Sequence, residues 1–201
     1  MKSEMDNVMK SFEDVEEVVK SRLSEKRFYH SNCVKDRCVE YAKIYGEDVE
    51  KARLVGIAHD VAKEMSHEEK IKFMHDRGLE INKYEIDSPG LLHAPVGSLI
   101  AKEELGYSDD MVKAIATHTM GDKDMSLLAE ILFVADSTGI DRKYEGTQEL
   151  YELAKKDLKA AVIECMNRTI KERIDKGKTI NPQTIDSRNE YILRYKNDDE
   201  K

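Results

Sequence analysis

Lys51 to Glu64 read KARLVGIAHDVAKE, and the apolar residues Ala52, Leu54, Val55, Ile57, Ala58, Val61 and Ala62 are spread nearly all round a helical wheel. A helix apolar on every side is usually buried, so this stretch predicts one central helix that carries the adjacent pair His59 and Asp60 into the interior. Taking a carboxylate out of water costs several kcal/mol or more unless a metal, a cation or several donors compensate it. The imidazole beside it makes a metal the first compensation to test. Alone, a His-Asp pair is better explained by an ordinary hydrogen bond at a partly exposed site, so its meaning depends on what else the chain carries.

Toward the N-terminus, residues 5 to 24 place Met5, Val8, Met9, Phe12, Val15, Val19 and Leu23 at spacings of three and four among charged residues. That is an amphipathic helix whose apolar face either closes the domain or pairs with a second copy in a homodimer. Arg27 to Tyr45 gives the next helix, ended by Gly46, with His30 in its first turn. Toward the C-terminus, Ser66 and Glu69 form the capping box of a short helix in which His67 and His75, lying among charges that include Lys70, read as a solvated face. The turn Asp87-Ser88-Pro89-Gly90 leads to His93, just before a helix with Pro95 in its first turn. A helix from Met111 to Thr117 ends at His118, beside Thr119 and Gly121.

Ser126 caps LLAEILFVADSTG, where Asp136 is a second carboxylate set in an apolar helix. From Thr147 a helical pattern continues through Leu158 to Ile174, Lys176-Gly177-Lys178 stops it, and Asn181-Pro182 starts another. No strand pattern of useful length or internal repeat interrupts this. The reading is an all-α, single-domain protein: a helix over 1–24 packing on a domain over 25–196, with 197–201 as a tail expected to fray.

Bulk properties narrow the function. With 40% hydrophobic and 37% charged residues over 201 positions, the chain reads as a soluble helical protein, without an apolar run that could span a membrane or a signal-peptide core. Cytoplasm is the expected compartment. Cys33, Cys38 and Cys165 form neither an even framework nor a paired clip, which argues against disulfides and a thiolate zinc site. A net charge of -8 argues against a nucleic-acid partner but leaves room for an anionic small molecule held by a metal and local cations.

The candidates His30, His59, Asp60, His93, His118 and Asp136 are spread over five helical segments, as ligands of a bundle site are. Imidazoles and carboxylates without thiolate suit iron, manganese, cobalt, nickel or zinc better than calcium or magnesium. Arg27, Lys63 and Arg142 lie close in sequence to these residues, and a metal with arginine and lysine points to phosphate.

The ordered pattern H…HD…H…H…D resembles the HD-domain superfamily of metal-dependent phosphohydrolases. The words LVGIAHDVAKE, LLHAPVGSLIAKEELG, AIATHTMG, MSLLAEILFVAD and INPQTIDSRN resemble the YqeK family, the symmetrical bis(5′-nucleosyl)-tetraphosphatases, from about Arg27 to Asn189. The resemblance implies an HD-type helical bundle that binds iron and hydrolyses diadenosine tetraphosphate to two ADP. It matches His30, His59, Asp60 and Asp136 to the metal ligands. It matches His93 and His118 to two further histidines that contact phosphate or, alternatively, bind a second metal. Asp60, Lys63, His93 and His118 are then expected in catalysis. Arg27, His30, Lys63, His93, His118, Thr119 and Arg142 are expected on the substrate.

The chain departs from the family after Asp136, where Ser137-Thr138-Gly139-Ile140-Asp141-Arg142 replaces an aromatic residue and an E-P-x-R loop. That departure keeps two alternatives in view. One is an HD phosphohydrolase acting on another nucleotide; the other is a regulatory protein that binds metal and nucleotide without turnover.

Overall fold

In a computed structural model, the backbone is described for residues 9–199 and the side chains for residues 9–196. Among these residues there are helices and no strands: α1 (Phe12–Arg22), α2 (Glu25–Tyr45), α3 (Val49–Ala58), α4 (His67–His75), α5 (Lys83–Asp87), a 3-10 turn (Pro89–Leu92), α6 (His93–Leu105), α7 (Asp109–Thr117), α8 (Leu127–Thr138), α9 (Thr147–Lys156), α10 (Leu158–Asp175) and α11 (Pro182–Asp199). None of them is long and apolar enough to cross a membrane. The all-α, single-domain reading holds.

The core gathers round α8, which packs against α2, α3, α7, α9 and α10. Leu128, Ile131, Leu132, Val134 and Ala135 of α8 are buried there. Its C-terminal end is tied down. The Thr138 hydroxyl donates to the Val134 carbonyl at 2.9 Å and accepts from the Tyr41 hydroxyl of α2 at 2.8 Å, while Arg37 Nε donates to the Thr138 carbonyl at 2.9 Å. These bonds fix the turn of α8 that carries Asp136. Within the described residues α1 starts at the Ser11 cap, and its Val15 and Val19 are buried. The first helix therefore closes the domain on α2 and α3. Met5 and Val8 lie outside the described residues. So do residues 200–201 of the expected frayed tail, whereas the α11 backbone stays helical to Asp199.

Three expectations change. The central stretch is not one helix, because α3 stops at its cap residue His59 and the chain continues in turns, with Val61 N–H bonded to the Ala58 carbonyl at 3.0 Å and Lys63 N–H to that of Asp60 at 2.8 Å. The cause is local. The His59 ring takes the Gly56 carbonyl at 2.8 Å, the acceptor a continuing α-helix would offer to Asp60 N–H.

The second change is a break in the segment from Thr147 to Ile174 at Asp157, which is extended (φ -151°, ψ 98°) and caps α10 by accepting Ala160 N–H at 2.9 Å. The third is Lys70, expected on a solvated face but buried, with Nζ donating to the Lys63 carbonyl at 3.1 Å. The short helix α5 had no counterpart in the sequence reading; a capping box of Asn82 and Glu85 starts it.

Two outcomes follow from the packing. A Cβ at Gly56 would lie 2.6 Å from Lys35 Cα, a backbone atom, so α2 and α3 cannot keep their spacing around a side chain there. Gly56→Ala should lower the unfolding free energy by about 1–3 kcal/mol in urea titrations, the usual range for overpacking. Buried Glu130 of α8 accepts from the Tyr191 hydroxyl at 2.7 Å, and burial raises its pKa. A raised carboxyl favours folding below its unfolded pKa and loses that contribution as pH rises through the folded one. Glu130→Gln keeps the acceptor without the charge, so it should gain thermal stability over the parent at pH 8 and not at pH 4, as measured by melting at both.

Candidate metal centre and phosphate cleft

Three of the candidate histidines are held by one device. His59 ends α3, His118 ends α7, and His93 joins the 3-10 turn to α6. In each, Nδ1 faces the backbone carbonyl three residues earlier: Gly56 at 2.8 Å, Ile115 at 2.7 Å and Gly90. A carbonyl only accepts, so Nδ1 carries the proton and Nε2 presents a lone pair to the interior. His30, from the first turns of α2, has Nδ1 against Asp141 Oδ2 at 2.8 Å and Nε2 against Asp136 Oδ1 at 3.0 Å. The four rings stand in a row, His30, His59, His118 and His93, with successive centroids 5.4, 5.2 and 4.9 Å apart.

The carboxylates lie along this row. Asp60 Oδ1 is 3.1 Å from His93 Nε2 and 3.8 Å from His118 Nε2, and Oδ2 is 3.6 Å from His59 Nε2. Asp136 Oδ1 is 3.9 Å from His59 Nε2; its side chain, expected to be buried, is a quarter exposed at 25%. Despite the short approach to His93, Asp60 Oδ1 makes no hydrogen bond, and neither does His59 Nε2. Both are buried acceptors facing other acceptors, which costs free energy unless a cation lies among them.

The residues therefore fit a divalent metal. Three sets have ligand atoms within 4.8 Å of one another: His30, His59 and Asp60; His59, His118 and Asp136; and Asp60, His93 and His118. Burial lowers the pKa of His59 and His93 to about 4, so both rings are neutral ligands at physiological pH. Burial opposes ionisation of Asp136, but His30 and the Arg142 guanidinium beside it hold its carboxyl well below the usual range.

The expected cations are present. Lys63 Nζ is 3.1 Å from His93 Nε2 and 3.5 Å from Asp60 Oδ1, and Arg27 Nη1 is 3.5 Å from Asp60 Oδ2. Arg142 donates through Nε to the Asp136 carbonyl at 2.8 Å and through Nη2 to the Asp136 carboxylate and to His30 Nε2 at 3.2 Å. Thr119 Oγ1 is buried without a partner.

Lys63, His93 and Thr119 open into a cavity of about 560 Å³ whose far wall carries Arg173 and Lys178. A smaller one of about 250 Å³ runs from His118 and Asp136 past Phe133 to Asn181. His30 borders a third, of about 540 Å³, with Arg27 and Arg142.

Thus all the predicted site residues converge. The sequence reading missed Asp141, whose only signal was an acid beside Arg142. It also missed Arg173 and Lys178, which it took for part of a helix end and its stop. His67 and His75 stay outside the cluster, as expected.

Known proteins show the same arrangement of sequence. The HD domain family matches residues 27–140. A symmetrical bis(5′-nucleosyl)-tetraphosphatase of Halalkalibacterium halodurans is 35% identical over 183 residues, 90% of this chain and 96% of that protein. One from Bacillus subtilis is 33% identical over 83% of this chain and 90% of its own length. A crystal structure from Clostridium acetobutylicum, described as a predicted HD superfamily hydrolase involved in NAD metabolism, superposes with a TM-score of 0.89 at 38% identity, covering 92% of this chain and 99% of that one. With its row of imidazoles closed on two aspartates and its similarity spread over nearly the whole length, the chain belongs to the HD domain family, among the symmetrical tetraphosphatases.

Proposed function

We infer that the protein is a metal-dependent phosphohydrolase that cleaves bis(5′-nucleosyl) tetraphosphates, chiefly diadenosine tetraphosphate, into two nucleoside diphosphates. The observation that carries this is the pair of buried acceptors without a hydrogen bond, His59 Nε2 and Asp60 Oδ1, with the cations Lys63 and Arg27 beside them. His30, His59, Asp60 and Asp136 would hold the metal, and we propose iron; His93 and His118 would meet phosphate, with a second metal at Asp60, His93 and His118 as the alternative. When bound, the metal supplies Lewis acidity toward water and a phosphoryl oxygen.

The chain's own groups account for the rest. Asp60, with Lys63 and Arg27 as its counter-charges, orients the attacking water through Oδ1, which makes no hydrogen bond. Lys63 Nζ, already within 3.1 Å of His93, stands where phosphoryl charge grows as the anhydride bond breaks. Arg27 and Arg142 take phosphates on the His30 side, and the Thr119 hydroxyl has a hydrogen bond to give. A small nucleotide in the cytoplasm, rather than a nucleic-acid strand, suits a protein of net charge -8 that sets Arg27, Lys63 and Arg142 beside the site carboxylates. The altered loop keeps Arg142 on Asp136, which supports turnover over regulation alone.

Product chromatography tests the reaction: the purified protein should convert diadenosine tetraphosphate to ADP alone, and a chelator should stop it. AMP with ATP as products would reject symmetrical cleavage. Elemental analysis tests the ligands. His59→Ala and Asp60→Ala should each lose at least tenfold in metal content and nearly all hydrolysis while keeping their helical circular dichroism, and a variant that retains full iron would refute its assignment.

A further inference from the structure

The row of imidazoles has two ends, and they open into different clefts: His93 into the cavity with Lys63 and Arg173, His30 into the cavity of about 540 Å³ on the other side. The second cleft is built from α2 and the segment after α8, and it joins two features that are uncommon together. Four cations line it, Arg27 and Arg142 against the site carboxylates and Lys26 and Lys143 further out. The outer two are exposed and make no ion pair among the described residues.

Tyr29 and Tyr144, 59% and 45% exposed, line the same cleft, with Ile140 at 63%. Exposed rings beside cations in an otherwise acidic protein mark a surface kept for a ligand with an aromatic face and negative charge. The Tyr144 hydroxyl is bonded to the Ser137 carbonyl, which holds that ring in place without a ligand. The volume falls within the range of small-ligand pockets, roughly 300–1,000 Å³.

We propose that this cleft is a nucleoside subsite, in which Tyr29 and Tyr144 stack on one base of the dinucleoside substrate while Lys26 and Lys143 hold the phosphates leading to it. The proposal rests on the tetraphosphatase reading and extends it. A substrate with a nucleoside at each end needs a place for both, and the imidazole row lies between the clefts that supply them. The residues after Asp136, where the chain leaves its family's usual pattern, then set which base is accepted.

The test is equilibrium binding by the metal-loaded protein of two ligands: a diadenosine tetraphosphate analogue with a methylene group at the central bridge, and inorganic tripolyphosphate, which has no base. Tyr29→Ala combined with Tyr144→Ala should weaken the analogue on the order of ten- to a hundred-fold and leave tripolyphosphate unchanged. Tyr29→Phe, which keeps a ring, should bind the analogue within about threefold of the parent. The proposal is overturned if the double variant binds the analogue like the parent, if both ligands weaken together, or if the parent does not bind the analogue. Hydrolysis by the parent is scored separately, so a protein that binds through the rings but releases no ADP would reject the enzymatic reading and keep the subsite.

Discussion

Asp60 Oδ1 faces imidazole nitrogens whose protons are turned away from it. That single arrangement of lone pairs constrains the rest of the molecule. Buried acceptors at such distances repel one another, so the fold must supply positive charge nearby and must prevent the rings from turning over to relieve the conflict. It does both. Lys63, Arg27 and Arg142 supply the charge, and the carbonyls of Gly56, Gly90 and Ile115 hold the rings. The architecture around them, from the close approach of Gly56 to α2 to the tied end of α8, keeps those partners in register.

The same constraint separates what could be read in the chain from what could not. Apolar periodicity and caps are local properties, so the helical class and several helix boundaries were legible, including the caps at Ser66 and Ser126 and the glycine stop at Gly46. The end of α3 was not, because periodicity registers only that Val61 and Ala62 are buried, and turns bury them as well as a helix does. The helix ends where the His59 ring bonds the Gly56 carbonyl, and hydrophobicity does not encode that bond. The break at Asp157 was hidden for the same reason, a polar cap inside an apolar pattern.

At the site, residue chemistry was legible and geometry was not. Aspartates set in apolar sequence need compensation, and that argument reaches Asp60 and Asp136 without coordinates, although Asp60 lies in a turn after α3 and the Asp136 side chain is partly exposed. Asp141, Arg173 and Lys178 gave no such signal, since exposed charge is the ordinary state of such residues and only the fold brings them to a wall of the site. Asp141 is the instructive case. It bonds to the proton-bearing side of His30, a role the backbone fills for the other three rings, because His30 sits at the start of a helix rather than at the end of one.

That difference between helix starts and helix ends has a dynamic side. The carbonyls that hold His59 and His118 belong to last turns, the part of a helix that frays first, and Gly90 lies in a short 3-10 turn. A turn that lost its carbonyl would leave its ring free to present either nitrogen inward. The order of the imidazole row is therefore as local as the three carbonyl bonds that hold it.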